Sequence, residues 1–325
     1  MMAQDFHYVT SFHAPQVVNP AGTSANALHR TQVVAQYRGQ WDAATSEQAY
    51  QGVSVYVDMR FCLPNSRKSF YALGVGMQRD GSTRGGLYHG AANAALAYHQ
   101  HLGGETFAAA GAAAGGLVFG IQPARLRFDA QYQQGAFDPS RPTGEAGLQE
   151  SILQADLHAG LLLYNNRKGW SAGLAWRHLN KPLYSLLGEE NRLGIGLVIQ
   201  GSATVWSSYA GARSLVLRTI LRRQSVSGGN SLQWQWLGGG TFQLGIPSAG
   251  RLSLGTYLRT GSTPTRRLRL NTLVPTLQWS GEYVTIILTY DADVAGTRSR
   301  YPGGMELMFG YSFGKKDRCV VCSGF

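Results

Sequence analysis

The sequence predicts an all-β protein, a transmembrane antiparallel β-barrel of about 14 strands, and three observations support this. Strand-like runs with alternating apolar and polar side chains recur along the chain, each about the ten residues that a tilted membrane strand needs. Charged residues make up only 14% of the 325 residues, against about 25% in globular proteins. No run of about 18 strongly apolar residues is present, so no membrane-spanning helix is predicted.

The clearest alternation lies in the last run, residues 304–313. One face is entirely apolar and ends in an aromatic residue, and its members are Met305, Leu307, Phe309, Tyr311 and Phe313. The other face carries Glu306, Gly310 and Ser312, with Met308 as its only apolar member. Such a strand can close a barrel and place its aromatic end at the membrane interface. We therefore expect the apolar face to contact lipid and the strand to pair with the first one, around residues 33–41.

The chain divides into three predicted parts. Residues 1–29 contain Pro15 and Pro20 and alternate little, which predicts an N-terminal segment in the periplasm or in the lumen as a plug. Residues 30–313 form the barrel, and residues 314–325 form a periplasmic tail. The predicted strands are residues 33–41, 53–58, 71–77, 89–102, 105–121, 126–132, 155–164, 170–179, 192–205, 213–223, 231–245, 250–260, 266–279, 281–291 and 304–313.

This gives about fifteen runs, whereas single-chain bacterial barrels have even strand numbers, so 14 strands are predicted. An even number places both termini at the periplasmic end. The Ala-rich stretch 89–121 is the weakest assignment, because its composition would also suit helices. Long loops are predicted at residues 134–150 and 180–191 from their turn-forming residues.

The net charge is +11, and most of the basic residues are arginines. In a barrel, arginines can line a polar lumen or meet anionic lipid headgroups, and we prefer this interpretation. Nucleic-acid binding is the alternative, but no basic run is dense enough and no nucleic-acid-binding motif is present.

Cys319 and Cys322 have C-x-x-C spacing after the last strand, and the third cysteine is Cys62. One such pair is too small for a structural zinc site, and it opens no helix as a thioredoxin motif would. A local Cys319–Cys322 disulfide formed in an oxidising periplasm is therefore predicted, with Cys62 free. The first three residues resemble the remnant of a cleaved leader.

Two motifs with catalytic or metal-binding associations are interpreted as ordinary strand residues. Ser171 lies in a G-x-S-x-G match, but a nucleophile elbow needs a strand-to-helix turn and this run keeps alternating. His99 and His101 share a strand face, and His158 and His178 fall on neighbouring predicted strands, with no carboxylate clearly nearby. We therefore predict no catalytic residue, no cofactor and no metal.

A series of short stretches carries a resemblance to a known family. They are Asn19-Pro20-Ala21-Gly22, Tyr37-Arg38-Gly39-Gln40-Trp41, Phe128-Asp129-Ala130-Gln131-Tyr132, Phe137-Asp138-Pro139, His178-Leu179-Asn180-Lys181-Pro182, Tyr290-Asp291, Gly304-Met305-Glu306-Leu307 and the closing Cys322-Ser323-Gly324-Phe325. In this order they resemble the PorP/SprF family of type IX secretion outer-membrane proteins. The last stretch is similar to the family's Cys-Pro-x-Phe ending, with Ser323 in place of proline.

The resemblance implies a non-enzymatic barrel in the outer membrane of a Gram-negative bacterium. It implies partners among the periplasmic ring proteins and peptidoglycan-associated lipoproteins of the type IX machinery. It also implies a role in secretion or surface attachment of cargo, including gliding adhesins. The alternatives are a porin or hydrophobic-solute channel, whose arginine-rich lumen would favour anions, and a lipolytic enzyme that depends on Ser171 alone.

Overall fold

The computed structural model describes residues 8–25, 27, 29–40, 50–63, 68–82, 86–145, 147–187, 191–208, 211–225, 232–262, 268–294 and 303–314. Its strands are β1 (Thr31–Gln40), β2 (Tyr50–Cys62), β3 (Phe70–Ser82), β4 (Leu87–Gly103), β5 (Thr106–Ile121), β6 (Tyr132–Gln133), β7 (Ala136–Phe137), β8 (Ser151–Asn165), β9 (Trp170–Arg177), β10 (Gly196–Ser207), β11 (Arg213–Ser225), β12 (Leu232–Ile246), β13 (Gly250–Ser262), β14 (Leu268–Ser280), β15 (Val284–Asp293) and β16 (Gly304–Phe313). The helical turns are α1 (Pro15–Val18) and 3-10 helices at Val9–His13, Pro20–Gly22, Pro123–Arg125 and Asp129–Gln131. None of the helices in these ranges is both long and apolar enough to cross a membrane.

Within the described residues, fourteen antiparallel strands close into a barrel, because β1 pairs with β2 on one side and with β16 on the other. The order around the wall follows the chain, with β5 beside β8, while β6 and β7 form a separate ribbon. Closure leaves no open sheet edge, whose unpaired backbone groups would each cost several kcal/mol in lipid. The predicted strand number and the pairing of the first strand with the last are confirmed.

Alternation along the strands separates a lipid-facing side from a lumen side. In β16, Phe309 is 48% exposed whereas the adjacent Met308 is fully buried, and the five apolar side chains of its predicted outer face all point outward. The same alternation holds in β2, where Val53 and Val55 point outward and Ser54 is buried. Exposure therefore marks the apolar outer wall, and burial marks the filled lumen.

The two ends of the barrel differ. The end that bears Thr31 and Phe313 also bears the short connections 104–105, 166–169, 247–249 and 281–283, and is called the turn end. The opposite end carries the long connections 122–150 and 178–195, and is called the loop end. Exposed aromatic side chains collect on the outer wall near the turn end: Phe61, Tyr71, Trp206, Trp279, Tyr311 and Phe313. Aromatic girdles mark membrane interfaces, and short turns face the periplasm in bacterial barrels, so we expect the turn end to be periplasmic.

The predicted strand at residues 126–132 is wrong. The chain leaves the wall after β5, because Pro123 lacks the N–H that would continue the ladder and β5 already pairs with β8. The segment instead folds as a loop in which Gln131 donates through Nε2 to the Arg141 carbonyl (3.0 Å). Conversely, the helical alternative for the Ala-rich stretch is excluded, since β4 and β5 pair along nearly their whole length.

Candidate functional site

The lumen is occupied by residues 8–25, here called the plug, which is hydrogen-bonded to opposite sides of the wall. On one side, Oε2 of Glu306 on β16 accepts the backbone N–H groups of Val9 (2.8 Å) and Thr10 (3.2 Å). On the other side, Nδ2 of Asn19 donates to the carbonyl oxygens of Leu161 on β8 (2.9 Å) and Leu174 on β9 (3.2 Å). The plug therefore crosses the lumen from one wall to the other.

Glycines in the wall allow this close approach. A Cβ added at Gly160 would overlap Oδ1 of Asn19, and one added at Gly173 would lie 2.9 Å from Nδ2 of the same residue. On β5, a Cβ at Gly111 would collide with the backbone of Ala21. Glycine within a strand often marks such a backbone approach, so these residues define where the plug docks.

The C-terminal end of the plug, together with Ala27 just beyond it, binds charged and aromatic residues of β2 and β4. The Ser24 N–H donates to Oδ2 of Asp58 (3.1 Å), and Nη2 of Arg60 donates to the carbonyl oxygens of Ser24 (2.7 Å) and Ala27 (2.9 Å). Nε2 of His99 lies 3.0 Å from the Thr23 carbonyl oxygen. Because a carbonyl can only accept, this nitrogen carries the proton.

Four buried charged residues, here called the seam cluster, lie beside the junction of the first and last strands. They are Arg38 on β1, Arg259 on β13, Asp291 on β15 and Glu306 on β16. Oδ2 of Asp291 accepts from Nη2 of Arg38 (2.9 Å) and Nη1 of Arg259 (2.8 Å). Oε1 of Glu306 lies 3.5 and 3.7 Å from the same two guanidinium groups. The charges balance, and Glu306 joins barrel closure to plug docking.

Three buried residues on the opposite wall, here called the hairpin cluster, lie near the loop end of β8 and β9. They are Asp156 and His158 on β8 and His178, which directly follows β9. Nδ1 of His178 lies 2.9 and 3.0 Å from the two carboxylate oxygens of Asp156, and Nε2 of His158 lies 3.0 Å from Oδ2. The donor atoms of all three lie within 4.8 Å of one another. The sequence-based view that no carboxylate accompanies these histidines is therefore wrong.

A cavity of about 220 Å³ lies between the plug and the turn end. Phe12 and His13 of the plug form one side of it, and Asn166, Trp170 and Glu282 in or beside the turns form the rim. His13 is half-buried in this wall, and burial together with the nearby Arg218 lowers its pKa from 6.5 to about 3. The plug thus presents a neutral imidazole to this polar cavity, which opens toward the turn end and is here called the cup.

The residues that the family resemblance singles out fall into two groups. Asn19, Arg38, His178 and Glu306 belong to the plug contacts and the two clusters described above. Pro20 begins a 3-10 helix of the plug and would contact a Cβ at Gly160. The remaining positions are Gln40 at the end of β1, Asp129, Tyr132, Asp138 and Pro139 in the β5–β8 connection, and Pro182 in the β9–β10 connection. Trp41 lies outside the described residues.

The motif residues outside the lumen network have local roles. Oδ1 of Asp138 accepts the backbone N–H (3.0 Å) and the hydroxyl (2.6 Å) of Ser140. The carbonyl oxygen of Pro182 accepts the Leu193 N–H (2.9 Å) within the loop end. Ser171 lies on β9, where its hydroxyl is 2.8 Å from that of Ser202, so the G-x-S-x-G match has no strand-to-helix turn.

Cys62, at the turn end of β2, is disulfide-bonded, so the expectation that it stays free is wrong. The chain contains three cysteines. The predicted Cys319–Cys322 bond is therefore incompatible with a bond between Cys62 and another cysteine of the same chain. Cys319 and Cys322 themselves lie outside the described residues.

Sequence reasoning missed Arg259, Asp291 and Asp156 as members of the clusters. Each had a local signal, since each occupies a lumen-facing position of an alternating strand. Charged side chains are almost never fully buried unless they are paired, so a charged residue on the buried face of a strand predicts a partner of opposite charge. The identity of the partner, however, depends on which strands meet across the lumen.

The closed barrel, its apolar outer wall, its aromatic girdle and its polar lumen together define a bacterial outer-membrane β-barrel protein. Within this class, the chain belongs to the family described as type IX secretion system membrane protein PorP/SprF, which it matches over residues 1–229, more than half of its length. The resemblance found in the sequence is thereby confirmed. The protein is located in the outer membrane of a Gram-negative bacterium. No curated protein sequence matches the chain.

Solved structures with a similar fold include outer-membrane transport proteins. The toluene transporter TbuX of Ralstonia pickettii is 11% identical, with 93% of this chain and 94% of that chain covered and a TM-score of 0.50. A deletion mutant of the monoaromatic hydrocarbon channel TodX is 9% identical, with 92% and 94% covered and a TM-score of 0.52. At these identities the similarity concerns the fold alone.

Proposed function

We propose that this protein is a non-enzymatic, plugged adaptor barrel of the type IX secretion system. Its outer wall anchors it in the outer membrane, and its turn end binds periplasmic ring proteins and peptidoglycan-associated lipoproteins. Through these partners it supports the secretion or surface attachment of cargo. The observation that carries the proposal is the plug, whose hydrogen bonds reach both walls of the lumen.

The arrangement of the plug supports an adaptor over a pore. Glu306 holds its start and the Asn19 contacts hold its middle, while Asp58, Arg60 and His99 bind its C-terminal end around residues 23–24. Each buried hydrogen bond that involves a charged group contributes about 1.5–3 kcal/mol. A ligand would have to break several of these bonds together to open a continuous path.

The turn end supports the proposed binding face. It is the end expected in the periplasm, and the cup between the plug and the turns is accessible from it. Its rim combines Trp170 and Tyr283 with Asn166 and Glu282. Large aromatic side chains next to hydrogen-bonding groups are typical of protein-binding surfaces.

Site-specific photocrosslinking in native membranes tests the partner face. A photoreactive side chain at Arg167 or Glu282, which are exposed at the turn end, should capture periplasmic proteins of the secretion apparatus, identified by mass spectrometry. The matched control places the same group at Asp138 or Ser185 at the loop end. Capture of these proteins from the loop end alone would contradict the proposal.

A second candidate is a channel for hydrophobic solutes, favoured by the aromatic side chains in the cup and by the fold shared with TbuX and TodX. Conductance in planar bilayers separates the two functions. The adaptor predicts no steady current from the intact chain and a large current after removal of residues 8–25. A steady current through the intact chain, or uptake of a monoaromatic compound by cells that depends on it, would favour the channel.

A further inference from the structure

The hairpin cluster has the ligand set and the spacing of a transition-metal site. Two imidazole nitrogens and one carboxylate are a common set of three protein ligands for Zn²⁺, leaving a fourth position for water. With bond lengths of about 2.0–2.1 Å, neighbouring ligand atoms of a tetrahedral ion lie about 3.3 Å apart. Nδ1 of His178 lies 2.9 Å from Oδ1 of Asp156 and Nε2 of His158 lies 3.0 Å from Oδ2, slightly less than this value, and one ligand atom from each residue lies within 4.8 Å of the other two.

His178 reaches the cluster only because the backbone departs from the strand pattern. Arg177 already points into the lumen, so regular alternation would turn His178 outward to the lipid. Instead His178 has a φ of +54° and is completely buried. The pairing resumes after it, since the Leu179 N–H donates to the Leu157 carbonyl (2.9 Å). A left-handed conformation at a non-glycine residue is uncommon and concentrates at functional sites.

Hydrogen bonding among the described residues does not use every nitrogen of the two buried imidazoles. His158 turns Nε2 toward Asp156, while its Nδ1 is buried and has no hydrogen-bond partner within the described part of the chain. Within the described residues, its one hydrogen bond directs Nε2 to Asp156, at the point where Nδ1 of His178 also contacts that carboxylate. An ion at that point would be held by all three elements of the site.

The chemistry of the cluster selects among metals. Ca²⁺ and Mg²⁺ prefer oxygen ligands, and here one carboxylate is accompanied by two imidazoles. Arg177 also lies near enough to His158 to interact with it electrostatically, which weakens attraction based on charge alone. Ions that form strong bonds to imidazole nitrogen, such as Zn²⁺, tolerate this setting better.

We propose that Asp156, His158 and His178 bind one divalent transition-metal ion, of which Zn²⁺ is the best fit, and that the ion fixes the end of β9 to β8. The ion would tie the start of the β9–β10 loop to the barrel wall. This proposal is independent of the adaptor function, because it concerns the loop end and not the partner face.

Metal titration of the full-length protein in detergent tests the site. After chelator treatment, Co²⁺ should bind saturably with one ion per chain and give the visible absorption of a tetrahedral nitrogen and oxygen site, and Zn²⁺ should displace it. His158→Gln should weaken binding at least about tenfold, the lower bound seen when even an outer-shell partner of a metal ligand is removed. His101→Gln is the matched control, because His101 is a partly exposed strand histidine near the turn end. It should bind like the wild type.

Folding of each variant is checked by its heat-modifiable migration in SDS gels. If His158→Gln does not fold, X-ray absorption at the zinc edge of the wild-type protein decides, and two imidazole ligands plus oxygen support the proposal. The proposal is overturned if the wild type shows no saturable Co²⁺ spectrum, if folded His158→Gln binds as tightly, if His101→Gln abolishes binding, or if the zinc spectrum shows fewer than two imidazoles.

Discussion

The seam cluster and the hairpin cluster lie on opposite walls of the lumen and neutralise their carboxylates differently. In the seam cluster, Asp291 and Glu306 face Arg38 and Arg259, whose guanidinium groups stay charged at every physiological pH. In the hairpin cluster, the described partners of the Asp156 carboxylate are His158 and His178, and the charge of a histidine depends on protonation or on a bound ion. The charge of the first cluster is therefore constant and serves stability, whereas the charge of the second can change with protonation or ion binding.

The largest effect is expected from breaking the seam cluster. Glu306→Gln leaves an unbalanced buried positive charge, and removal of one partner from a buried ion pair costs about 3–5 kcal/mol. The measurement is the urea concentration at which the barrel unfolds in detergent. The double variant Glu306→Gln with Arg259→Gln restores charge balance and should lose clearly less stability than the sum of the two single variants. Strict additivity would show that the four charges do not act as one unit.

The outer face of the same strand gives the next largest effect. Phe309→Arg places a charge on the lipid side, which costs about 2–4 kcal/mol near the membrane midplane. We expect a sharp loss of the fraction that resists SDS without heating. Ser312→Arg at the lumen side near the turn end is the control and should be much milder. Equal tolerance of both substitutions would contradict the orientation of β16.

Weakening the hydrogen bonds between the plug and strands β8 and β9 should lower stability less. Asn19→Ala removes two donated hydrogen bonds to the wall, an expected loss of about 1–3 kcal/mol. Asn19→Asp keeps the oxygen that caps the Ala21 N–H (2.9 Å) but cannot donate to the carbonyls. Hydrogen exchange of the plug amides should therefore rise in both variants. Normal protection in Asn19→Asp would mean that the cap, and not the wall contact, holds the plug.

The smallest effect is expected from protonation of His13 in the plug, because a histidine, unlike an arginine, changes its charge near neutral pH. Docking of the plug lowers the pKa of His13 from 6.5 to about 3, so between these values the undocked plug binds more protons than the docked one. Docking should therefore be unaffected above pH 6.5 and weaken as the pH falls below it, by about 1.4 kcal/mol per pH unit at most. Protease sensitivity of the plug at pH 7.5 and 5.5 measures this, and His13→Gln should remove its share of the pH dependence. An unchanged pH response in His13→Gln would assign the effect to other groups.

The local pattern of the sequence determined the barrel. Alternation depends only on neighbouring residues, so it indicated the lipid face of β16 and, with the even-number rule, the strand count. It also predicted the loops at residues 134–150 and 180–191. The same rule failed at residues 126–132, where alternation persists in a segment for which the closed sheet has no vacant edge.

Only the tertiary structure decided what the inward-facing side chains do. Arg38 and Glu306 meet because β1 and β16 pair in that register. Asp291 joins them from β15, the other neighbour of β16, and Arg259 reaches them from β13, two strands further along the wall. Asp156 meets His178 because the backbone turns to a positive φ directly after β9. The plug docks where Gly111, Gly160 and Gly173 leave room for it. Contacts across a lumen join residues far apart in the chain, and no period in the sequence encodes them.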